Sequence, residues 1–155
     1  MTLLFTLFVG APEAQHVAFE EPLAIAELSE RSETVVLGEV TAVWVESREG
    51  TPWTVASVLV ERTLAGEADR LTQVAWPGGS LGKTELLVSG APEVHPGDRV
   101  IFFVQADGRP AGMAQGMLHA ESDDFVWRDL SGFVYGDATP EGPEAWSLPD
   151  LQRQL

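Results

Sequence analysis

The chain contains no cysteine, which removes disulfide staples, thiolate zinc sites and cysteine nucleophiles together. Basic residues are scarce. Nine Lys and Arg face 24 Asp and Glu, a formal charge of −15. Such a field repels phosphate backbones and anionic lipid surfaces, so no nucleic-acid partner is expected. The three histidines, His16, His95 and His119, stand far apart in the sequence and form none of the close spacings that hold zinc. No EF-hand pattern surrounds the carboxylate pairs Glu20-Glu21 and Asp123-Asp124, so no metal site and no cofactor is read. Long apolar runs are missing too. Residues 3–9 are too few to cross a bilayer, and no membrane span is expected. Neither an internal repeat nor a domain-dividing linker is present.

What remains is 155 residues with 45% apolar content, enough for one domain with a real core and short for two. Fifteen Gly and ten Pro break the chain often, which favours short strands over long helices. Residues 1–9 read MTLLFTLFV and are followed by small and then acidic residues, the order of a secretory signal peptide. No Lys or Arg precedes the run, and the alternative is an N-terminal strand or packed arm. The reading adopted is a signal peptide over residues 1–18 and one β-rich domain over residues 19–155, in the periplasm or outside the cell.

Along the domain, residues 22–30 place Leu23, Ala24 and Leu28 at helical spacing and predict a short helix. Residues 34–47 (TVVLGEVTAVWVES) predict a strand with Val36, Val40, Ala42 and Trp44 on one face. Gly38 interrupts that face, where a bulge or close approach is expected. A turn at residues 48–52 leads to a β-branched strand over 53–64. Further strands are expected over 71–76, 85–89, 99–105, 111–118, 125–127 and 133–135. The run RVIFFVQ fits a strand buried on both faces, and Asp107-Gly108 is a hairpin signal. Ser147 is a plausible N-cap for a terminal helix carrying Leu148, Leu151 and Leu155 on one face. About seven strands, two short helices and no βαβ alternation predict an all-β fold, a small antiparallel barrel or sandwich.

One motif raises catalysis. Gly78-Gly79-Ser80-Leu81-Gly82 fits the G-x-S-x-G nucleophile elbow, and Ser80 with Lys83 fits S-x-x-K. His95 or His119 would serve as base, with Asp98 or Asp123 to orient it. The following KTELLVSG has no helix-start pattern, however, and a chain rich in glycine meets such motifs by chance. The loop reading is preferred, with Ser80, Lys83 and His95 kept as weak catalytic candidates. The better lead lies in the five tryptophans. Most belong in the core, but Trp53 and Trp76 stand next to turns, where an indole can form a stacking platform for a sugar ring or a peptide.

The order SETVVLGEV, WTVASVLVERTLAG, WPGGSLG, VSGAPEVHPGDRVIFFV and GMAQGML, over residues 23–134, resembles an uncharacterised family of small exported bacterial β-rich proteins. Its pattern runs S-x-x-V-V-x-G-x-V, P-G-G-x-x-G, V-S-G-x-P and G-x-x-Q-G. Ala65 and Met117 stand where lysines are usual in that family, and Val94 where an aromatic is common. The resemblance implies export and a β-rich fold, and it implies no activity. The expectation is therefore an exported, non-enzymatic envelope or extracellular module that binds a protein or glycan. A small-molecule carrier using the barrel interior and a serine hydrolase at Ser80 are the alternatives.

Overall fold

The computed structural model describes residues 22–131 and 142–155. The expected signal peptide, His16, Glu20-Glu21, the strand at 133–135 and most of the loop at 137–144 lie outside them. The described order is α1 (Ile25–Glu30), β1 (Thr34–Arg48), β2 (Thr51–Ala65), β3 (Leu71–Pro77), β4 (Gly79–Leu81), β5 (Thr84–Leu86), β6 (Arg99–Val104), a 3₁₀ turn (Met113–Gly116), β7 (Met117–Ala120), β8 (Val126–Arg128), β9 (Glu144–Trp146) and α2 (Leu148–Gln152).

Seven strands form one antiparallel sheet in the order β3-β2-β1-β6-β7-β8-β9. With β3 and β9 at opposite ends, the sheet does not close into a barrel among the described residues, and the architecture is all-β and sandwich-like. Its curvature comes from β1 and β2. Their register slips at Val35/Val36, Leu37/Gly38 and Val40/Ala42, and each bulge increases twist and bends the strand. Beyond Glu39, β1 leaves β6 and pairs with β2 alone. The β2–β3 end then folds over the inner face, so that Trp76 on β3 lies 6.2 Å from Phe102 on β6. Gly38 is required for this course, because a Cβ there would stand 2.3 Å from the carbonyl oxygen of Leu59.

Two cores flank the sheet. The inner one gathers Val36, Val40, Ala56, Val58, Val74, Trp76, Val100 and Phe102. The other gathers Val35, Leu37, Ile101, Phe103, Leu118 and Val126 beneath the two helices, which contribute Ile25, Leu28, Leu148 and Leu151. Alternate residues of β6 enter opposite cores, which is why RVIFFV carries no polar position after Arg99. A six-residue helix has no stability of its own in water. Burial of Ile25 and Leu28, worth about 2 kcal/mol each, holds α1 in place. Ser147 caps α2, accepting from the backbone N–H of Asp150.

The structure departs from expectation in three places. The bulge at Thr41 reverses the alternation of β1, so Val43, not Ala42 or Trp44, continues the inner face of Val36 and Val40. The expected strand over 111–118 begins only at Met117. Gly112 and Met113 both take positive φ (63° and 58°) and turn the chain into the 3₁₀ segment. The glycine loop at 78–82 and the strand at 85–89 together form a separate small hairpin, β4–β5, paired Gly79 to Leu86 and Ser80 to Glu85.

Candidate functional site

The β1–β2 hairpin turns through Glu49 and Gly50, both at positive φ (51° and 81°), the backbone of a two-residue type I′ turn. This turn sets the register that places Trp44 opposite Val55 and Glu46 opposite Trp53. The next pairing places Val55 opposite Ala75 and Trp53 opposite Pro77. Directly opposed residues of antiparallel strands share a face, so Trp44, Glu46 and Trp53 stand together on the outer face. Val45, Thr54 and Trp76 point the other way, toward the inner core and the β4–β5 hairpin. The outer side chains are linked. The Trp44 indole N–H donates to Glu46 Oε2 at 3.2 Å, Arg48 Nε donates to Glu46 Oε1 at 2.8 Å, and the Arg48 guanidinium sits 4.8 Å above the Trp53 ring.

Those contacts fix the electrostatics. The Arg48 hydrogen bond, and after it that of the Trp44 indole, hold the Glu46 carboxyl below its ordinary range. Two half-buried indoles thus flank a carboxylate and a guanidinium whose positions are set by one another. Val55, paired with Trp44, and Ala75, paired with Val55, are buried on the same face. Such a surface offers half-exposed indoles for apolar contact, one of them beneath the Arg48 guanidinium, together with donors and acceptors for hydrogen bonds.

Trp53 therefore belongs to this face. Trp76 does not: it is 2% exposed, packs on Phe102 and borders a separate cleft with Thr54, Gly78 and Gly79. The sign of each side chain along β3 decides this, and proximity to a turn was a poor guide to it. Sequence reasoning missed Trp44, which it grouped on one face with Val36, Val40 and Ala42; the i, i+2, i+4 series Trp44, Glu46, Arg48 on one strand is the signal that could have found it.

The serine motif sits elsewhere. Gly79 precedes Ser80 at φ 122° because Val45 and Thr54 crowd the space a Cβ would take, Val45 Cγ2 at 2.8 Å. Gly79 thus has a packing reason, and Gly82, with open space around it, takes the positive φ of its turn (62°). Ser80 is exposed, and its hydroxyl hydrogen-bonds Glu85 Oε1 at 3.3 Å across the small hairpin. Lys83 is exposed in its turn. The setting is strand–turn–strand, not the strand–turn–helix of a nucleophile elbow. His95 is exposed in the loop before β6, where its backbone N–H donates to Asp98 Oδ2 at 2.7 Å. His119 lies on β7 with its ring stacked on Trp127. Asp123 accepts from Arg62 and Arg99, and these bonds, the Arg99 one first, hold its carboxyl below the ordinary range. Described hydrogen bonds thus join neither His95 nor His119 to Ser80. Among the described residues, no three His, Asp or Glu are grouped to hold a metal ion, and no helix is long and apolar enough to cross a membrane.

A second polar constellation went unread in the sequence. The Arg128 side chain is 3% exposed and donates to the carbonyls of Gln115 at 3.0 Å and Leu23 at 2.6 Å and to Glu144 Oε2 at 2.8 Å. Gln115 Oε1 accepts from the Leu23 N–H at 2.7 Å. Arg128 and Gln115 therefore grip both backbone groups of Leu23, just ahead of α1. Gln115 is thus an architectural residue. No protein-family model, curated protein or solved structure matches the chain.

Proposed function

We propose that this chain is an exported, non-enzymatic envelope or extracellular module that binds a glycan or a protein segment through the outer face of its long hairpin. The observation that carries the reading is the linked set Trp44, Glu46, Arg48 and Trp53. Indoles held by their own neighbours lose little side-chain freedom on binding, which lowers the entropic cost of association. Of the two partner classes, a glycan fits the geometry better. A pyranose ring offers an apolar face to an indole and hydroxyls to a carboxylate and a guanidinium at once. The resemblance to exported β-rich proteins supports the location, and the charge of −15 disfavours nucleic acid and anionic lipid as partners.

The two alternatives have less behind them. A carrier needs an apolar chamber, whereas Val36, Val40, Val58, Val100 and Phe102 fill the inner side of the sheet. A hydrolase needs a base beside Ser80, whose described partner is Glu85; equal turnover of an activated ester by wild type and Ser80→Ala removes it.

Titration of the chain with cell-wall oligosaccharides, followed by tryptophan emission, tests the main reading. Saturable quenching is expected, with affinity reduced roughly tenfold in Trp53→Ala and in Trp44→Ala and unchanged in Ser80→Ala. Silence of the wild type toward both oligosaccharides and envelope-protein peptides refutes the proposal.

A further inference from the structure

A groove of about 350 Å³ lies away from the hairpin face, bordered by Gly97, Asp98, Arg99, His119, Glu121 and Trp127. Its aromatic side is built by register. His119 on β7 stands opposite Trp127 on β8, and the rings stack at 4.6 Å between centroids with 27° between their planes. The Trp127 indole N–H donates to Glu121 Oε1 at 3.1 Å, which ties the ring to one wall. The other wall is the turn before β6, pinned to β1 by two backbone bonds, Val40 N–H to the Asp98 carbonyl at 2.8 Å and Gly97 N–H to the Val40 carbonyl at 2.7 Å. The turn that carries Asp98 to the groove is thereby fixed on β1.

The charges on the walls are unequal. Arg99 is already matched: Glu61 accepts from its Nε at 3.0 Å and Asp123 from its Nη2 at 2.9 Å. Asp98 and Glu121 each use one carboxylate oxygen in the described hydrogen bonds. Asp98 Oδ1 and Glu121 Oε2 take part in none of those described. Glu39, opposite Arg99 across the strand pair, adds a further negative charge nearby. An indole–imidazole stack that shares its groove with two carboxylates of spare acceptor capacity is a setting for a cation. The ring quadrupole and the carboxylates attract it together, and the apolar ring faces suit an alkyl stem.

We infer that this groove receives the lysine or arginine side chain of a basic partner protein. Its size suits a single extended side chain rather than a folded surface. The net charge of −15 draws a basic partner toward the molecule before contact is made. The site is separate from the Trp44–Trp53 face, and the two stand or fall independently.

The test is titration of the ¹⁵N-labelled chain at low salt with a short neutral-ended peptide bearing one central lysine, and with the same peptide Nε-acetylated. The Trp127 indole N–H resonance, assigned by its absence in Trp127→Phe, is the readout. The expected result is a saturating shift with the lysine peptide and none with the acetylated one. Affinity falls roughly tenfold in Glu121→Gln and Asp98→Asn and is unchanged in Trp53→Ala. Both carboxylates are on the surface, and a dispersed spectrum of each variant confirms its fold. Absence of a shift, or equal shifts from the two peptides, overturns the inference. Saturation by spermidine with no response to the lysine peptide overturns the assignment to a protein partner.

Discussion

Arg128 shows how much one side chain can hold when its surroundings are dry. Its guanidinium spreads three donations over Gln115, Leu23 and Glu144 from a nearly buried position, with the Trp146 ring 5.6 Å away. A truncated side chain leaves two carbonyls of the clasp without donors, and an unpaired buried carbonyl costs more than a made hydrogen bond contributes. Arg128→Met is therefore expected to destabilise the fold by about 3 kcal/mol, read as a lower urea midpoint with an unchanged slope. Arg128→Lys recovers little, because an ammonium cannot reproduce the planar fork that meets three acceptors. Nothing in the local sequence VWRD marked this arginine. Its partner Leu23 is 105 positions away, and only the packed fold brings them together.

At the scale of elements, legibility followed locality. The α2 helix was readable because its signals lie within four residues: Ser147 as cap, Pro149 and Asp150 in the first turn, and leucines inward. The turn at 48–52 was readable for the same reason. Its backbone has positive φ at both central positions, a conformation Asn adopts more readily than Glu. Glu49→Asn is accordingly expected to stabilise the hairpin by about 0.5 kcal/mol, a rise of roughly 1–2 °C in the melting temperature. An unchanged or lower midpoint would show that Glu49 contributes something the backbone geometry does not reveal. The 3₁₀ segment was unreadable. Ala111 to Gly116 carries enough apolar residues for a strand, yet Met113 is held at φ 58°. Close packing surrounds that turn: a Cβ on Gly112 would meet Leu23, and one on Gly116 would stand 2.1 Å from the Ala111 carbonyl oxygen. The same turn delivers Gln115 to the clasp.

For the whole molecule, charge is the dominant long-range term. Exposed ion pairs such as Arg48–Glu46, Arg62–Asp123 and Arg109–Asp107 contribute little, because water screens them. A net charge of −15 on a domain of this size opposes compaction everywhere at once. Salt screens both, but the unpaired excess of carboxylates outweighs the few pairs. Raising NaCl from roughly 0.01 to 0.3 M shortens the screening length from about 30 Å to below 8 Å. The melting temperature is expected to rise by a few degrees in differential scanning calorimetry. A fall would mean that the ion pairs outweigh the repulsion.

The amino-acid order alone determined the strand-rich class, the turn sites, the capped terminal helix, the doubly buried RVIFFV strand and the acidic surface, because each arises from spacing within a few residues or from composition. The tertiary structure decided which tryptophans face solvent, which residues the bulge at Thr41 turns outward, and that Arg128, Gln115 and Leu23 form one clasp. A strand's alternation has two equivalent phases until a bulge or a neighbouring strand selects one. Contacts between distant segments exist only after that selection has been made, so the side-chain sets most relevant to binding were the ones least visible in the linear chain.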